Sequence, residues 1–553
     1  MKVPIASWLP TYKKSWLRPD LIAGLTVVAL LIPEGMAYAQ IAGVPPQTAF
    51  YAAPIGLLLF AVLGSSRQLV VAVSAAIATM SFATVSQIAE PNSPDFIVLT
   101  AALAVLSGAI ALVAGLLKLG RVAQFFSESV MVGFISGLAL VIAVKQVPKI
   151  LGIEGSEGNF WERAWDVRAH LGHTHGLTLA VGLGCIAMLL ALEHYFERLP
   201  AALFALVIGI CVSALFGLDA RGVEIVGDIP SGLVAPAWPS ITWRQWQLLI
   251  PGALGIALVG FAEAVGPARA FAAAHQYNID PDQEFIGLGA ANLGAGLFQG
   301  FSIGSSLSKS AANDRAGART QMSGIIAAAV TAVVALFFTG LFRELPEAVL
   351  GAIVIVAVSG MIKLAKIAHL LHVRRADFVL AVVAFLAVLT FETLQALLIA
   401  VVVSLLALVG RASQPRLAVL GRAPTGTDFT DVTRHPENAT VPGVLIVRPE
   451  NGLFFANAAG FREAILEKVA ASAEPVTTLL VDLGATTDLD VPSAEMLGEL
   501  HEDMVNRHVT LQLARVITPV REMLERAGVV ERVGADHIFS GINEALNAHQ
   551  GGD

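Results

Sequence analysis

The sequence predicts an all-α polytopic membrane domain followed by a small α/β domain. The first observation is composition: 56% of the 553 residues are hydrophobic and only 14% are charged, whereas a water-soluble protein has roughly a quarter of its residues charged. The second is that apolar segments of about 17 to 25 residues, long enough for a helix to cross a bilayer, recur from Leu21 to Val409 and then stop. The third is the C-terminal part, where short apolar runs alternate with amphipathic stretches.

The apolar segments predict about fourteen membrane spans. Basic residues (Lys13, Lys14, Arg18) lead into the first span without a cleavage pattern, so we expect this span to remain in the mature protein. The 89–96 loop has no Lys or Arg, and the distribution of basic residues predicts cytoplasmic termini. We expect a multi-pass protein of a bacterial inner membrane. The predicted spans are 20–40, 48–64, 72–88, 97–117, 124–147, 176–194, 199–217, 250–270, 283–298, 305–313, 321–341, 345–362, 375–391 and 393–411.

The motifs of common enzyme classes are not found in the sequence. It has no phosphate-binding loop, nucleophile elbow or metal-binding helix signature. Cys185 and Cys211 lie within apolar segments and support neither a disulfide framework nor a thiolate metal site. His170, His173 and His175 share one loop, but their spacing matches no closed zinc site. We therefore predict no enzymatic activity, no catalytic residue, no cofactor, no metal site and no nucleic-acid partner.

The third and tenth spans are both rich in small residues. Val70–Met80 reads VVAVSAAIATM and Ser302–Asn313 reads SIGSSLSKSAAN. The two spans lie seven apart, and matching interruptions in two halves with an odd number of spans each are typical of an inverted repeat. Broken helices of this kind indicate a substrate site near the middle of the membrane. Tight helix packing through Ala and Ser is the alternative explanation.

Between Gly300 and Thr320 an otherwise apolar chain becomes polar, and Lys309 lies there among serines and alanines. Small residues allow a backbone to break inside a membrane and to turn its amide groups toward a cavity. A buried ammonium group requires an anionic partner, and helix N-termini, with unpaired amides and roughly half a positive charge, favour the same ligand. We therefore interpret this segment as an anion-binding site.

Two acidic residues within the spans are candidates for ion coupling. Glu263 lies in the middle of the eighth span, where a permanent carboxylate is costly, so we expect it to bind a proton or a cation. It could also form a structural ion pair with Lys309. Glu34 follows Pro33 and precedes Gly35, a sequence expected to break the first span and open backbone groups to a cavity. Glu34 could add proton coupling, repel a divalent anion, or cap that break.

The chain changes character after Arg411. Residues 412–443 are rich in Pro, Gly, Thr and Asp and lack periodicity, which predicts a linker between a transmembrane domain at 1–411 and a cytoplasmic domain at 444–553. The alternation of strand-like and helix-like segments beyond it predicts a β-α-β-α unit. The segments are Val444–Val447, Ala459–Ala471, Thr478–Leu483, Ser493–Asn506, Thr510–Ala514 and Thr518–Ala527.

Four segments resemble, in order, the motifs of the SulP family, the sulfate permeases and related anion transporters. The first, Arg18–Pro46, contains RPDLIAGLT and IPEGMAYA and is the most specific. The others are Gly64–Leu69, Phe261–Phe271 and Ser305–Thr320. The C-terminal domain resembles the STAS domain that these transporters carry, so the resemblance spans nearly the whole chain.

The resemblance implies a seven-plus-seven inverted repeat with a core domain (spans 1–4 and 8–11) and a gate domain (spans 5–7 and 12–14). It also implies a homodimer, and an elevator movement that carries the anion with the core. Glu263 would bind the coupling proton or sodium ion. By motif position the substrate lies between two sets of residues, Ser74, Ala75 and Ala76 in the third span and Ser306, Leu307, Ser308 and Lys309 in the tenth.

This chain departs from the family pattern at several positions. Many relatives carry Arg in place of Lys309, whose point charge lacks the bidentate fork of a guanidinium. Relatives often have a Gly-Pro pair in the third-span motif, where this chain has Ala-Ala, and Gln is frequent at the position of Glu34. In the STAS-like domain, Val491 takes the place of a phosphorylatable Ser or Thr of bacterial anti-sigma antagonists, although Ser493 is nearby.

The leading functional hypothesis is a secondary active transporter that takes up sulfate with protons. The same fold could instead carry bicarbonate with sodium, or a C4-dicarboxylate such as succinate or fumarate. A third hypothesis makes the membrane part a passive anchor or anion channel and the STAS-like domain a signalling module. A nucleobase transporter of the related fold is a fourth, and both the STAS-like domain and Lys309 argue against it.

Overall fold

The protein consists of two compact units, which meet in the sequence between Ser404 and Leu405. The computed structural model describes residues 4–91, 93–120, 128–156, 158–196, 200–391, 393–424, 426, 428–472 and 474–550. The first unit is helical, and the second combines helices with a six-stranded sheet. The prediction of a helical membrane domain followed by a small α/β domain is confirmed.

Within the described residues seventeen α-helices begin in the first unit, and the last of them continues into the second: α1 (Ile5–Trp8), α2 (Lys14–Ile41), α3 (Thr48–Leu63), α4 (Ala75–Val85), α5 (Pro94–Leu116), α6 (Glu128–Leu151), α7 (Phe160–Ala169), α8 (Gly176–Tyr195), α9 (Ala201–Phe216), α10 (Trp243–Ala274), α11 (Pro281–Leu297), α12 (Leu307–Arg315), α13 (Met322–Phe337), α14 (Glu347–Ser359), α15 (Leu364–Val373), α16 (Arg375–Thr390) and α17 (Thr393–Ser413). Fourteen of them coincide with the predicted spans, and α1, α7 and α15 lie between or before spans. The predicted start of the fifth span, at residue 124, lies outside the described residues.

Length and composition separate two kinds of helix in this unit. In the part of the chain that the structure describes, six helical segments have at least 18 residues and are apolar enough to cross a membrane: α2, α5, α6, α8, α10, and α14 taken together with α15. Among the shorter apolar helices are α3, α4, α9 and α13. α12 is shorter still, with 9 residues. Thus α4 and α12, the helices of the two small-residue segments, are both too short to cross a bilayer alone.

The helices of the first unit pack as two groups. α11 lies against α3 and α5, and α13 lies against α2 and α3, so α2–α5 and α10–α13 form one group, the core group. α6 packs on α14 and α16, and α8 packs on α9 and α14, which forms the gate group. Gly108 permits the close contact of α5 with α11, because a Cβ atom added there would lie 2.4 Å from the Leu293 amide nitrogen. The two groups match the core and gate that the family resemblance implies.

The first long helix is continuous. α2 runs from Lys14 to Ile41 through Pro19 and Pro33, so the expected break of the first span at Pro33 is wrong. A membrane helix accommodates proline where neighbouring groups compensate for the lost hydrogen bond, and α2 is packed against α12, α13 and α14. Glu34 therefore projects from an intact helix and does not cap a break.

The second unit is built on a sheet of six strands in the order β4-β3-β5-β6-β7-β8. β3 pairs antiparallel with β4 and β5, and β5 to β8 pair parallel. The strands β1 (Val71–Ala72) and β2 (Gly304–Ser305) belong to the first unit. The elements of the second unit are β3 (Leu417–Arg422), β4 (Phe429–Asp431), β5 (Val444–Pro449), α18 (Ala458–Ala470), β6 (Thr478–Asp482), α19 (Val491–Asn506), β7 (Thr510–Ala514), α20 (Thr518–Arg526), α21 (Val529–Val533), β8 (Ile538–Phe539) and α22 (Ile542–Gln550).

The segment expected to be a linker, 412–443, contains two of these strands. β3 and β4 belong to the same sheet as β5, so the sheet begins before Val444. Both strands are short, and the Pro, Gly and Asp residues around them hide the alternation that marks a strand. The central strands are apolar on both faces, as parallel strands usually are, and Leu479, Val481 and Leu513 are fully buried.

Candidate functional site

Two short strands hold the N-termini of α4 and α12 together. β1 pairs with β2 in antiparallel register, with Val71 opposite Ser305, and the Ser306 amide donates to the Val70 carbonyl at 3.1 Å. Backbone amide and carbonyl groups inside a membrane need hydrogen-bond partners within the protein. The β1–β2 ladder supplies such partners for the two non-helical segments that precede α4 and α12. Because each strand leads almost directly into its helix, the two helix N-termini lie close together.

Lys309 is the charged centre of the site. It is fully buried, and its ammonium group forms an ion pair with Glu34 of α2. The ammonium also donates to the Val73 carbonyl at 3.3 Å and to the Ser306 hydroxyl at 3.4 Å. The centroid of the Tyr38 ring lies 5.2 Å from the ammonium nitrogen. Lys309 is therefore enclosed within the core group, with its charge balanced by Glu34.

Glu263 lies on α10 beside the N-terminus of α4. The Ser74 hydroxyl donates to Glu263 Oε2 at 3.3 Å, and a Cβ atom added to Gly304 would lie 3.7 Å from the same oxygen. The structure thus pairs Glu263 with Ser74 and Lys309 with Glu34. The alternative of an ion pair between Glu263 and Lys309 is wrong, because α2 supplies the carboxylate nearest to the lysine.

The two helix N-termini differ in how they are capped. The Ser306 hydroxyl accepts from the Lys309 amide at 3.4 Å and bonds to the Ser308 hydroxyl at 3.2 Å. Ser74 makes no such bond to α4, because its hydroxyl is turned toward Glu263. The first amide groups of a helix have no partner within the helix. Those of α4 are therefore left uncapped by Ser74 and can meet a negatively charged ligand.

The residues expected to contact substrate differ in exposure. Ala75 and Ala76 are buried, and their small side chains let the backbone of α4 come close to its neighbours. Leu307 exposes 53% of its surface, and Ser308 is also exposed. The site is therefore closed on the side of the two alanines and open on the side of Leu307 and Ser308.

Asn292 of α11, which no sequence motif indicates, supports the site. Its side-chain amide donates to the Ile303 carbonyl, and its side-chain oxygen accepts from the Ile303 amide, both at 2.9 Å. These bonds imitate those of a neighbouring strand, so Asn292 holds the segment that leads into β2. Ser310 of α12 holds the other segment, since its hydroxyl accepts from the Val70 amide at 2.9 Å. The sequence feature that could have indicated this role is the polar side-chain amide of Asn292 within an otherwise apolar span.

Asp20 of the first motif ties α2 to the start of α13. It is fully buried, and its carboxylate accepts from the Arg319 amide at 2.6 Å and from the Thr320 hydroxyl at 2.8 Å. The Tyr12 hydroxyl donates to the same carboxylate at 3.1 Å. Burial and the neighbouring Asp20 raise the pKa of Tyr12 to about 12, so this donor keeps its proton. Asp20 is thus a structural residue of the motif.

Glu284 fixes the second motif, Gly64–Leu69. It is fully buried on α11, and one carboxylate oxygen accepts from the Ser65 amide at 2.8 Å, the Ser65 hydroxyl at 2.6 Å and the Ser66 amide at 2.8 Å. These bonds fix the loop that precedes β1. The motif therefore acts on the site through the position of β1.

In the second unit, Asp490 caps α19. Its carboxylate accepts from the Ser493 amide at 3.0 Å and from the Phe455 amide at 2.6 Å. Burial alone would raise the pKa of Asp490, but these hydrogen bonds hold it below its usual value. Val491 is exposed, whereas Ser493 is fully buried. Phosphorylation of Ser493 would therefore require the first turn of α19 to open.

Comparison with solved structures defines the class of protein. The chain matches the murine Solute Carrier 26 family member A9 anion transporter, solved in the inward-facing state, with a TM-score of 0.91 and 25% identity over 99% of this chain and 94% of that one. It matches the transmembrane domain of the cyanobacterial bicarbonate transporter BicA with a TM-score of 0.62 and 21% identity over 71% of this chain and 98% of that one, a likeness of fold alone. With two opposed short helices beside a buried lysine, this fold is that of a membrane anion transporter.

Comparison of sequences defines the family. The sulfate permease family model matches residues 17–384, and the STAS domain model matches residues 435–545. Over 551 residues the chain is 35% identical to a probable sulfate transporter of Mycobacterium tuberculosis, and the matched region covers 98% of each chain. Over 562 residues it is 30% identical to the chloroplastic sulfate transporter 4.1 of Arabidopsis thaliana, covering 98% of this chain and 82% of that one. The chain belongs to the sulfate permease family and carries a C-terminal STAS domain.

Proposed function

We propose that the protein is a secondary active transporter that takes up sulfate together with protons. The observation that carries this proposal is the buried ion pair between Lys309 and Glu34. An anion bound beside Lys309 would be repelled by the Glu34 carboxylate, because like charges close together in a poorly solvated site disfavour each other. Protonation of Glu34 removes its charge and frees the lysine, so proton uptake would favour anion binding.

The anion would lie between the N-termini of α4 and α12. Backbone amides at both helix ends, serine hydroxyls and the lysine ammonium are the donors that suit an oxyanion. The uncapped end of α4 supports this assignment, since its amides need a partner. The proposed binding residues are Ser74, Ala75, Ala76, Ser306, Leu307, Ser308 and Lys309.

Glu263 is the second proposed coupling residue. It accepts a hydrogen bond from Ser74, which is itself a proposed ligand of the anion. A negative charge on Glu263 would therefore oppose an anion at α4, and a bound proton or sodium ion would relieve this repulsion. Glu34 acts on the lysine side of the site and Glu263 on the α4 side, so each acid can link one cation to anion binding.

We propose that the core group carries the anion past the gate group, as in an elevator. The β1–β2 ladder and Ser310 join α4 to α12, so the site can move as one body. Gln40 of the core group contacts a gate-group ion pair between Lys149 and Glu347, whose atoms lie 3.1 Å apart. Its side-chain oxygen accepts from Lys149 at 2.5 Å, and its amide donates to Glu347 at 3.3 Å. These contacts would break as the groups move.

The proposal also includes a membrane orientation and an oligomeric state. The distribution of basic residues supports cytoplasmic termini, which would place the STAS domain in the cytoplasm. The bacterial relative supports a bacterial inner membrane. We also propose that two copies of the chain form a homodimer.

Uptake of radiolabelled sulfate into proteoliposomes tests the proposed function. The transporter is assayed with an inward proton gradient, an inward sodium gradient, or neither, and we expect only the proton gradient to stimulate uptake. Lys309→Ala should abolish uptake, and Glu34→Gln should remove the stimulation. Glu154→Gln, which neutralises an exposed acid outside the site, is the matched control. Undiminished uptake by Lys309→Ala would refute the proposed site, and failure of the unmodified protein to take up sulfate would refute the proposed function.

Bicarbonate uptake with sodium is the second candidate. Lys309 is a single point charge without the guanidinium fork that fits two oxygens of a tetrahedral oxyanion, and this favours a smaller monovalent anion. The same proteoliposomes distinguish the candidates, because bicarbonate, succinate or fumarate in excess should compete with sulfate only if the site accepts them. Stimulation by sodium instead of protons would favour the bicarbonate assignment.

A further inference from the structure

We propose that α15 and the residues beside it bind the headgroups of anionic phospholipids. α15 joins α14 to α16, two apolar helices of the gate group. From residue 363 to residue 375 the sequence has four Lys or Arg residues, two His residues and no Asp or Glu. All six basic side chains are exposed. They form what we call the basic cluster: Lys363, Lys366, His369, His372, Arg374 and Arg375.

The apolar face of α15 is only partly covered by protein. Ile367 is buried against Val132 of α6 and Ala381 of α16, which fixes one side of the helix on the gate group. By helical spacing, Leu364 and Leu371 lie beside Ile367 on the same face, yet they expose 55% and 44% of their surface. An apolar surface left uncovered at this point fits the acyl region of a bilayer.

The opposite face of α15 is polar and carries no acidic side chain of the helix. Lys366, His369 and His372 lie there by helical spacing. A helix with one apolar and one polar face, flanked here by Lys363, Arg374 and Arg375, lies in the plane of the membrane interface, where its apolar side enters the headgroup boundary. This arrangement distinguishes α15 from a loop that carries basic residues only for orientation in the membrane.

The charges that face the basic cluster leave it positive. Glu128 at the start of α6 forms an ion pair with Lys366, and Asp377 follows in the first turn of α16. Two acids thus oppose four Lys or Arg side chains. Basic residues next to a membrane span are drawn to anionic lipid, each by roughly a fivefold gain in binding. The bilayer leaflet that the basic loops face is the anionic cytoplasmic one, so an acidic phospholipid matches both position and charge.

The consequence is an anchor for one helix group. α15 packs on α6 and α16, both in the gate group. Headgroups bound to α15 would therefore hold the gate group at the interface while the core group moves. This inference depends on the membrane fold and not on sulfate or protons, so it can fail without affecting the proposed function.

Lipid retention by the full-length protein tests the proposal. The transporter is reconstituted in nanodiscs of phosphatidylcholine mixed with phosphatidylglycerol, extracted in mild detergent, and its retained lipids are measured by native mass spectrometry. The triple variant Lys363→Gln/Arg374→Gln/Arg375→Gln should lose retained phosphatidylglycerol by at least tenfold. Arg521→Gln/Arg526→Gln, which neutralises two exposed residues of the STAS domain, should retain as much as the unmodified protein.

A charge-conserving variant keeps the test decisive if the triple variant folds poorly. Arg374→Lys/Arg375→Lys preserves both charges and should retain phosphatidylglycerol at the unmodified level, because attraction to a charged surface needs charge and not a guanidinium fork. Equal retention by the triple variant and the unmodified protein would overturn the proposal. An equal loss in the STAS control would also overturn it, since net charge alone would then explain the binding.

Discussion

Lys309 of α12 and Glu34 of α2 form a buried ion pair although 275 positions separate them in the sequence. Removing one partner of a buried pair leaves an uncompensated charge and costs about 3–5 kcal/mol. The transporter must therefore keep this site balanced at every stage, with the carboxylate, an anion or a proton. In the proposed function, charge balance at this lysine would be the physical basis for coupling an anion to a proton.

The first prediction concerns stability. Lys309→Met should lower the free energy of unfolding by about 3–5 kcal/mol, because Glu34 would remain buried and charged. The double variant Glu34→Gln/Lys309→Met should regain most of this loss while remaining inactive. Thermal unfolding of the purified protein in detergent measures the first effect, and sulfate uptake the second. A double variant as unstable as the single one would show that the pair contributes packing and not charge balance.

The second prediction concerns pH. If one proton binds together with sulfate, as proposed, the affinity of the unmodified protein for sulfate should rise as the pH falls, by about tenfold per pH unit at most. Glu34→Gln frees the lysine permanently and should make the affinity nearly independent of pH. The KM for uptake, measured across a pH series with no gradient imposed, checks this. An unchanged pH slope in Glu34→Gln would assign coupling to Glu263 alone.

The third prediction compares the two serines at the helix N-termini. Ser306 caps α12, so Ser306→Ala should destabilise the protein by about 1 kcal/mol. Ser74 caps nothing on α4, so Ser74→Ala should leave stability within about 0.5 kcal/mol. Both variants should raise the KM for sulfate, because both hydroxyls are proposed ligands. A loss of stability in Ser74→Ala equal to that in Ser306→Ala would contradict the difference in capping.

Much of this architecture could be predicted from sequence because membranes constrain composition strongly. The apolar segments mark fourteen helices, and the small residues around Lys309 mark the break in the tenth span. Where local sequence preferences do not predict the observed secondary structure, tertiary contacts determine it. Pro33 does not break α2, since packing of that helix outweighs the local preference of proline. β3 and β4 were not predicted, because strands this short show too little alternation of apolar and polar residues.

The partners within the site could not be predicted, for a different reason. Sequence shows that Glu34, Glu263 and Lys309 must each find compensation inside the membrane, but not which groups lie within reach. The assignment depends on α2 crossing α12 and on α10 passing α4, relationships set by the whole bundle. Asn292 was missed because a single amide in an apolar span carries no indication of its partner.

The fourth prediction concerns the STAS domain. Because the pKa of Asp490 is lower in the folded protein than its usual value, its contribution to stability is complete at neutral pH and is lost as the pH falls through the folded pKa. Asp490→Ala should remove this contribution together with the cap, at a cost of roughly 1 kcal/mol. Hydrogen exchange of the full-length protein should show faster exchange at the start of α19, including the Ser493 amide. Unchanged exchange there would show that the cap is dispensable.

The last prediction tests whether Asn292 positions the site or only stabilises the fold. Asn292→Ala removes both hydrogen bonds to Ile303 and should cost about 1–3 kcal/mol, since two buried backbone groups lose their partner. Gln283→Ala on the same helix is the matched control, because the Gln283 side chain donates to the Leu63 carbonyl at 2.6 Å and does not touch β2.

Both variants should therefore show a comparable loss of thermal stability, but only Asn292→Ala should reduce the affinity for sulfate, by about tenfold. The physical reason is that β2 leads directly into α12, so a shift of β2 moves Lys309 and the amides beside it. A proportionate loss of affinity in Gln283→Ala would mean that destabilising α11 anywhere disturbs the site. Asn292 would then be one structural residue among many, and the strand-like pairing with Ile303 would have no particular role in binding.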